Sequence, residues 1–114
     1  MALPSLLQQL VDRKLDNYCK NKIPEHVKNE IRLHFKIRGD HVTLFESRPY
    51  YLKPSEWIDK KVAQFRYGRN EKNWTLYCVD RNEKWHPYFK IEACENIDDL
   101  IKEVDEDPTG IFWG

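Results

Sequence analysis

The chain is 114 residues long, 40% hydrophobic, 13% aromatic and 33% charged, with 19 basic and 19 acidic side chains and no formal net charge. That apolar and aromatic content excludes a disordered chain, and no apolar run approaches the roughly 20 residues that cross a bilayer. The length suits one domain able to bury roughly two-thirds of its unfolded surface, so residues 1–114 are read as a single α+β domain without a membrane partner.

Leu3, Leu6, Leu7, Leu10, Val11, Leu15 and Tyr18 recur at steps of three and four residues, which predicts an amphipathic helix. Ser5 and Gln8 resemble a capping box at its start, with Pro4 marking the first turn as the alternative, and Ile23-Pro24 disfavours simple continuation; residues 24–29 have room for one more turn. The period then changes to two. Ile31, Leu33, Phe35 and Ile37 alternate with polar residues and predict a half-buried strand. Gly39-Asp40 suits a two-residue turn with glycine first, which sets Ile37 opposite Val42 and Phe35 opposite Leu44. Glu46 to Lys60 holds Pro49 and Pro54 beside Tyr50, Tyr51 and Trp57, and is read as an ordered loop with a helical turn begun by Ser55. Strands follow at about 62–67, 74–79 and 85–89, the last placed at an edge or bulged at Pro87, which has no N–H to donate. Asn96 caps a helix carrying Ile97, Leu100, Ile101 and Val104, with Asp98 and Asp99 at its positive end. Pro108 and Gly110 end it. The expected architecture is an N-terminal helix, a five-stranded antiparallel meander, a C-terminal helix and a C-terminal tail. Leaving Ile111, Phe112 and Trp113 in water would forgo roughly 1.5–3 kcal/mol for each side chain that could be buried, so the tail is expected to dock on its own domain or on a partner.

The zero net charge is segregated. Residues 1–90 carry 18 Lys/Arg against 11 Asp/Glu, whereas residues 91–114 carry Lys102 alone against Glu92, Glu95, Asp98, Asp99, Glu103, Asp105, Glu106 and Asp107. Either the acidic helix leans on a basic body and the fields cancel, which is the favoured reading, or a basic surface is left open for an anionic partner. The opening residues 1–5 have no basic stretch or apolar core of a secretory signal. Cys19, Cys78 and Cys94 are odd in number and far apart, which reads as reduced thiols in a cytoplasmic protein.

The four histidines do not make a metal site by spacing: His34 and His41 lie about 13 Å apart along the hairpin, and His26 and His86 have no partner four residues away. No metal and no cofactor are expected. Glu46, Arg48, Asp80 and His86 have the chemistry of a small hydrolase, acid–base groups with a cation for a phosphate or carboxylate. No nucleophile with a local base and no phosphate-cradling glycine loop accompanies them, so no catalytic residue is assigned. The aromatic strands are more suggestive. Trp74, Leu76 and Cys78 point one way and Thr75, Tyr77 and Val79 the other. Two helices can cover one sheet face, which leaves the other for solvent, a dimer mate or a ligand. Candidate partner-binding residues are Glu46, Arg48, Tyr50, Trp57, Tyr77, Asp80, His86 and Trp113. The leading reading is a non-catalytic adaptor that offers an open aromatic face to a protein partner or a second copy of itself; the alternative is a nucleic-acid binder using the basic aromatic face.

Phe45-Glu46-Ser47-Arg48-Pro49, Trp74-Thr75-Leu76-Tyr77, Asp80-Arg81 before Trp85-His86, and the closing run from Asp105 to Gly114 together resemble the uncharacterised bacterial family of domains of unknown function numbered 3024. The likeness extends from Leu15 to Gly114. It implies a stand-alone cytoplasmic bacterial protein and carries no activity, substrate or cofactor with it.

Overall fold

The computed structural model describes residues 3–113. Helix α1 (Ser5–Lys22) and a short 3-10 turn at Glu25–Val27 precede strands β1 (Arg32–Arg38), β2 (His41–Tyr50), β3 (Lys53–Gly68), β4 (Asn73–Val79) and β5 (Trp85–Pro87), and helix α2 (Ile97–Glu106) follows. The strands form one antiparallel sheet in the order β1-β2-β3-β4-β5, so the α+β meander expected from the sequence is the fold.

The first hairpin has the register expected, with Ile37 opposite Val42 and Phe35 opposite Leu44. Gly39 takes φ 62 in its turn, a backbone conformation that glycine adopts without a Cβ clash. Both helices lie against the same face of the sheet. Val11, Leu15 and Cys19 of α1 and Ile97, Leu100, Ile101 and Val104 of α2 share one apolar cluster with Val42, Leu44, Ala63, Phe65, Trp74 and Leu76. The stripe of α1 is narrower than its leucines suggest: Leu6 is 81% exposed and Leu10 is also exposed, because the line that meets the sheet runs through Leu3, Leu7, Val11, Leu15 and Cys19. No side-chain cap bond starts α1, and Pro4 occupies the cap position. Asn96 does cap α2, its side chain accepting from the Asp98 N–H.

The region read as a loop with a helical turn is instead the longest hairpin of the molecule. β2 runs on through Pro49 and β3 begins at Lys53, paired from His41↔Arg66 out to Tyr50↔Lys53. Pro49 and Pro54 do not break it, since β1 has left β2 after Ser47 and β4 pairs with β3 only at residues 64–68. Both prolines therefore sit on strands with one free flank, where a missing N–H costs no ladder bond. The register shifts between Leu44 and Phe45 and again between Pro49 and Tyr50. β5 is shorter than expected and lies at the sheet edge, although the Tyr88 N–H still donates to the Leu76 carbonyl.

The tail docks on its own domain. Asp107 takes a left-handed conformation after α2, and its carboxylate accepts the backbone N–H groups of Phe112 (3.1 Å) and Trp113 (2.9 Å). This turns the chain back so that Phe112 is buried against Tyr88, ring centroids 5.0 Å apart. The Trp113 indole N–H donates to the Val104 carbonyl at 2.8 Å.

Candidate functional site

Alternation along the strands decides what each face offers. Residues in step with Leu44, Phe65 and Leu76 meet the helices. Those out of step form the bare face: Arg32, His34, Lys36 and Arg38 on β1, Thr43, Phe45 and Ser47 on β2, Trp57, Asp59, Lys61, Gln64 and Arg66 on β3, then Tyr77 and Trp85. No described element packs over them. Each large aromatic of this face lies against a cation. The Arg32 guanidinium is 3.9 Å from the Trp57 ring centroid and that of Arg66 is 3.8 Å from Tyr77; the ammonium groups of Lys36 and Lys61 are 5.3 and 5.9 Å from Phe45 and Trp85. At the β1–β2 end Lys36, Arg38, His41, Thr43, Phe45 and Gln64 line a polar cleft of about 540 Å³. Burial and the neighbouring Arg66 both lower the pKa of His41.

The bare face also holds a contact that sequence spacing did not reveal. The Ser47 hydroxyl donates to Asp59 and lies 3.3 Å from the His34 Nδ1, while Asp59 is 3.8 Å from the other ring nitrogen. Serine, histidine and carboxylate meet here, but the order is wrong for nucleophile activation. Ser47 gives its proton to the carboxylate instead of to an imidazole base, and it is 5% exposed. His34 is stacked on Phe45, ring centroids 5.2 Å apart. The group ties β1, β2 and β3 together with its polar atoms satisfied. Only the Ser47↔Asp59 pairing and the register of β1 bring residues 34, 47 and 59 together.

The eight candidate residues fall in three places. Trp57 and Tyr77 stand on the bare face. Glu46, Arg48, Tyr50 and Trp113 line a cleft of about 480 Å³ on the opposite, helix-bearing side, where the β2–β3 hairpin extends past the tail. Arg48 donates to Glu46 there, and Pro49, Tyr51, Ile58 and Lys60 complete the walls. Asp80 and His86 are bonded to one another at 2.7 Å in the β4–β5 turn. The Asp80 carboxyl is pulled down to about 2, first by the Lys84 N–H and then by His86; it also accepts the Asn82 N–H, so it holds the turn in shape. Glu46 with Arg48 and Asp80 with His86 are thus two self-contained pairs on β2 and on the β4–β5 turn, with β3 between them. Among the described residues no hydrogen bond or ion pair joins the two pairs.

The acidic helix meets α1. Lys14 pairs with Asp98 at 2.7 Å and Lys22 with Asp105 at 2.8 Å. The Tyr18 hydroxyl also donates to Asp105, and burial together with that carboxylate pushes the Tyr18 pKa up. Cancellation and an open basic surface therefore coexist on opposite sides of the sheet. Among the described residues no group of three or more His, Cys, Asp or Glu comes together to hold a metal ion, and no helix is long and apolar enough to cross a membrane. Burial raises the thiol pKa of Cys19, to about 11, and those of Cys78 and Cys94, away from the thiolate that would react.

The family described as a domain of unknown function, DUF3024, matches residues 3–114. No curated protein and no solved structure matches the chain significantly.

Proposed function

We propose that this chain, which belongs to the DUF3024 family of domains of unknown function, is a non-catalytic binding module that holds single-stranded nucleic acid across the bare face of its sheet. The observation that carries this reading is the charge and ring pattern of that face. Arg32, Lys36, Arg38, Lys61 and Arg66 stand there with Asp59 as the one carboxylate on its described strands, and four of these cations lie against Trp57, Phe45, Tyr77 and Trp85. Cations bind phosphates irrespective of sequence. Bases stack on aromatic rings and on guanidinium planes alike, which Arg32 on Trp57 and Arg66 on Tyr77 supply as layered pairs. From His41 to Pro49 the face extends roughly 26 Å along β2, room for several nucleotides.

The same pattern argues against self-association through this face. Two copies set face to face would bring like charges together, and opposed like charges destabilise an interface. The three free cysteines fit a reducing, cytoplasmic setting.

Fluorescence anisotropy of a labelled single-stranded oligonucleotide, titrated at rising salt, tests the proposal. Affinity is expected to fall with a log–log slope of about −0.7 for each phosphate neutralised, and the double variant Arg32→Glu, Arg66→Glu should abolish binding while keeping its fold. Absence of binding at low salt, or binding indifferent to salt and to the double variant, would overturn it.

A further inference from the structure

The cleft on the other side of the sheet has a composition of its own. The Tyr50 and Tyr51 rings meet edge to face at 5.4 Å, and Tyr51 is 83% exposed at the hairpin turn. Trp113 forms the opposing wall, fixed by its bond to the Val104 carbonyl and by the Asp107 carboxylate on its backbone N–H. The wall is thus set before any ligand arrives, which spares the ordering cost of binding. The volume of about 480 Å³ lies within the usual range for small-molecule sites.

Its charges do not cancel. Glu46 stands directly opposite Lys60 in the β2–β3 register, yet its carboxylate bonds to Arg48, two residues along its own strand. Among the described residues, no carboxylate is then paired with the Lys60 ammonium at the cleft. An aromatic slot with one surplus cation selects a ligand of matching shape and sign.

We infer that the cleft formed by Tyr50, Tyr51, Lys60 and Trp113 binds a flat aromatic ring bearing a carboxylate, the ring between the tyrosines and the indole and the carboxylate on Lys60. Two sources carry that chemistry: a free aromatic acid and the aromatic residue that ends a peptide. The site is on the opposite side of the sheet from the nucleic-acid face and does not depend on it.

Amide and indole NMR shifts of the labelled protein, titrated with indole-3-acetate and with the uncharged indole-3-acetamide, provide the test. Saturable shifts are expected at Tyr50, Tyr51 and the Trp113 indole N–H, with the acid bound about fivefold more tightly than the amide, the size of an exposed charge-assisted contact. Lys60→Met, at an exposed position, should erase that preference, keep the melting temperature and leave oligonucleotide binding unchanged. A short peptide ending in tryptophan, with a free or an amidated carboxyl, separates the sources: a preference for the free end above that for the small acid assigns the site to a chain terminus, and the reverse assigns it to a metabolite-like acid. No saturable shift at these residues by ~10 mM, well beyond the millimolar range of weak sites, would overturn the inference. So would equal binding of acid and amide, or a preference that survives Lys60→Met.

Discussion

On the helix-bearing side of the sheet the side chains of Leu44, Phe65, Trp74 and Leu76 are almost wholly out of water, and the charges above them are matched, Lys14 with Asp98 and Lys22 with Asp105. On the other side Phe45, Trp57, Tyr77 and Trp85 are only half buried and each has a cation for company. The same strands build both sides. The difference shows how a chain with no net charge can still present a strongly basic surface: the acidic residues near its C-terminus neutralise lysines of α1, and the bare side keeps its own cations. Aromatic content likewise divides into rings buried in the core and rings left half exposed on the bare side.

The sharpest way to break this division is to delete one large ring from each side of β4. Trp74→Ala removes a side chain 1% exposed and should cost about 3–5 kcal/mol. Tyr77→Ala, three residues on and half buried on the bare side, should cost under about 1 kcal/mol in stability while weakening oligonucleotide binding by about 1–3 kcal/mol. Urea denaturation and the anisotropy titration read the two effects separately. If Tyr77→Ala destabilises as much as Trp74→Ala, the bare side is structural and not available to a partner. Phe112→Ala belongs with Trp74, since that ring is buried against Tyr88, and a large loss there would confirm that the tail is part of the core.

How far these sides are legible in the sequence depends on how local their causes are. The β1–β2 hairpin is readable because turn chemistry at Gly39-Asp40 and a two-residue period point to one register. α2 is readable because its cap, its acidic first turn and its apolar stripe lie within about ten residues. The β2–β3 hairpin is not, because Pro49 and Pro54 read as breakers unless it is known that β1 and β4 stop short of them. Leu6 and Leu10 mislead for a related reason: helical spacing gives an apolar arc, and only the sheet decides how wide an arc it can cover. The candidate residues are dispersed because Glu46 and Arg48 differ in parity from Trp57 and Tyr77 across a register shift that no local signal marks. His34, Ser47 and Asp59 meet only through pairings distant in sequence. Trp113 reaches the cleft only because Asp107 turns the tail back.

A smaller effect sharpens the comparison of charges. The Asp105 carboxyl is held below the usual carboxylate range, chiefly by Lys22 and further by the Tyr18 hydroxyl. A folded-state pKa below the unfolded value of about 3.9 means that its contribution is present above that value and is lost as pH falls through the folded one. Asp105→Asn should therefore destabilise the protein by up to about 1 kcal/mol at pH 7, given how exposed the pair is, and the difference from the parent should shrink as pH is taken below about 4. Urea midpoints at neutral and acid pH provide the check. A difference that persists unchanged in acid would mean that packing of Tyr18, not charge, ties α1 to α2.

The smallest effect concerns Asp80 and His86, which belong to neither side of the division. If the pair only holds the β4–β5 turn, His86 is one of several groups that hold the carboxylate: the Lys84 N–H is the largest single cause of the lowered Asp80 pKa, and the Asn82 N–H adds to it. His86→Ala should thus raise the Asp80 titration midpoint, read by carboxyl carbon NMR shifts, from about 2 only part of the way toward the ordinary value. Because Asp80 still accepts the Asn82 and Lys84 N–H groups, the turn should persist and the melting temperature should stay within experimental error. Full recovery of an ordinary midpoint would show that the backbone bonds depend on the imidazole and that the turn opens without it. The carboxylate and the bare-side ring of Trp85, next to His86 in β5, would then become mobile together, and the bare face would lose one of its fixed borders.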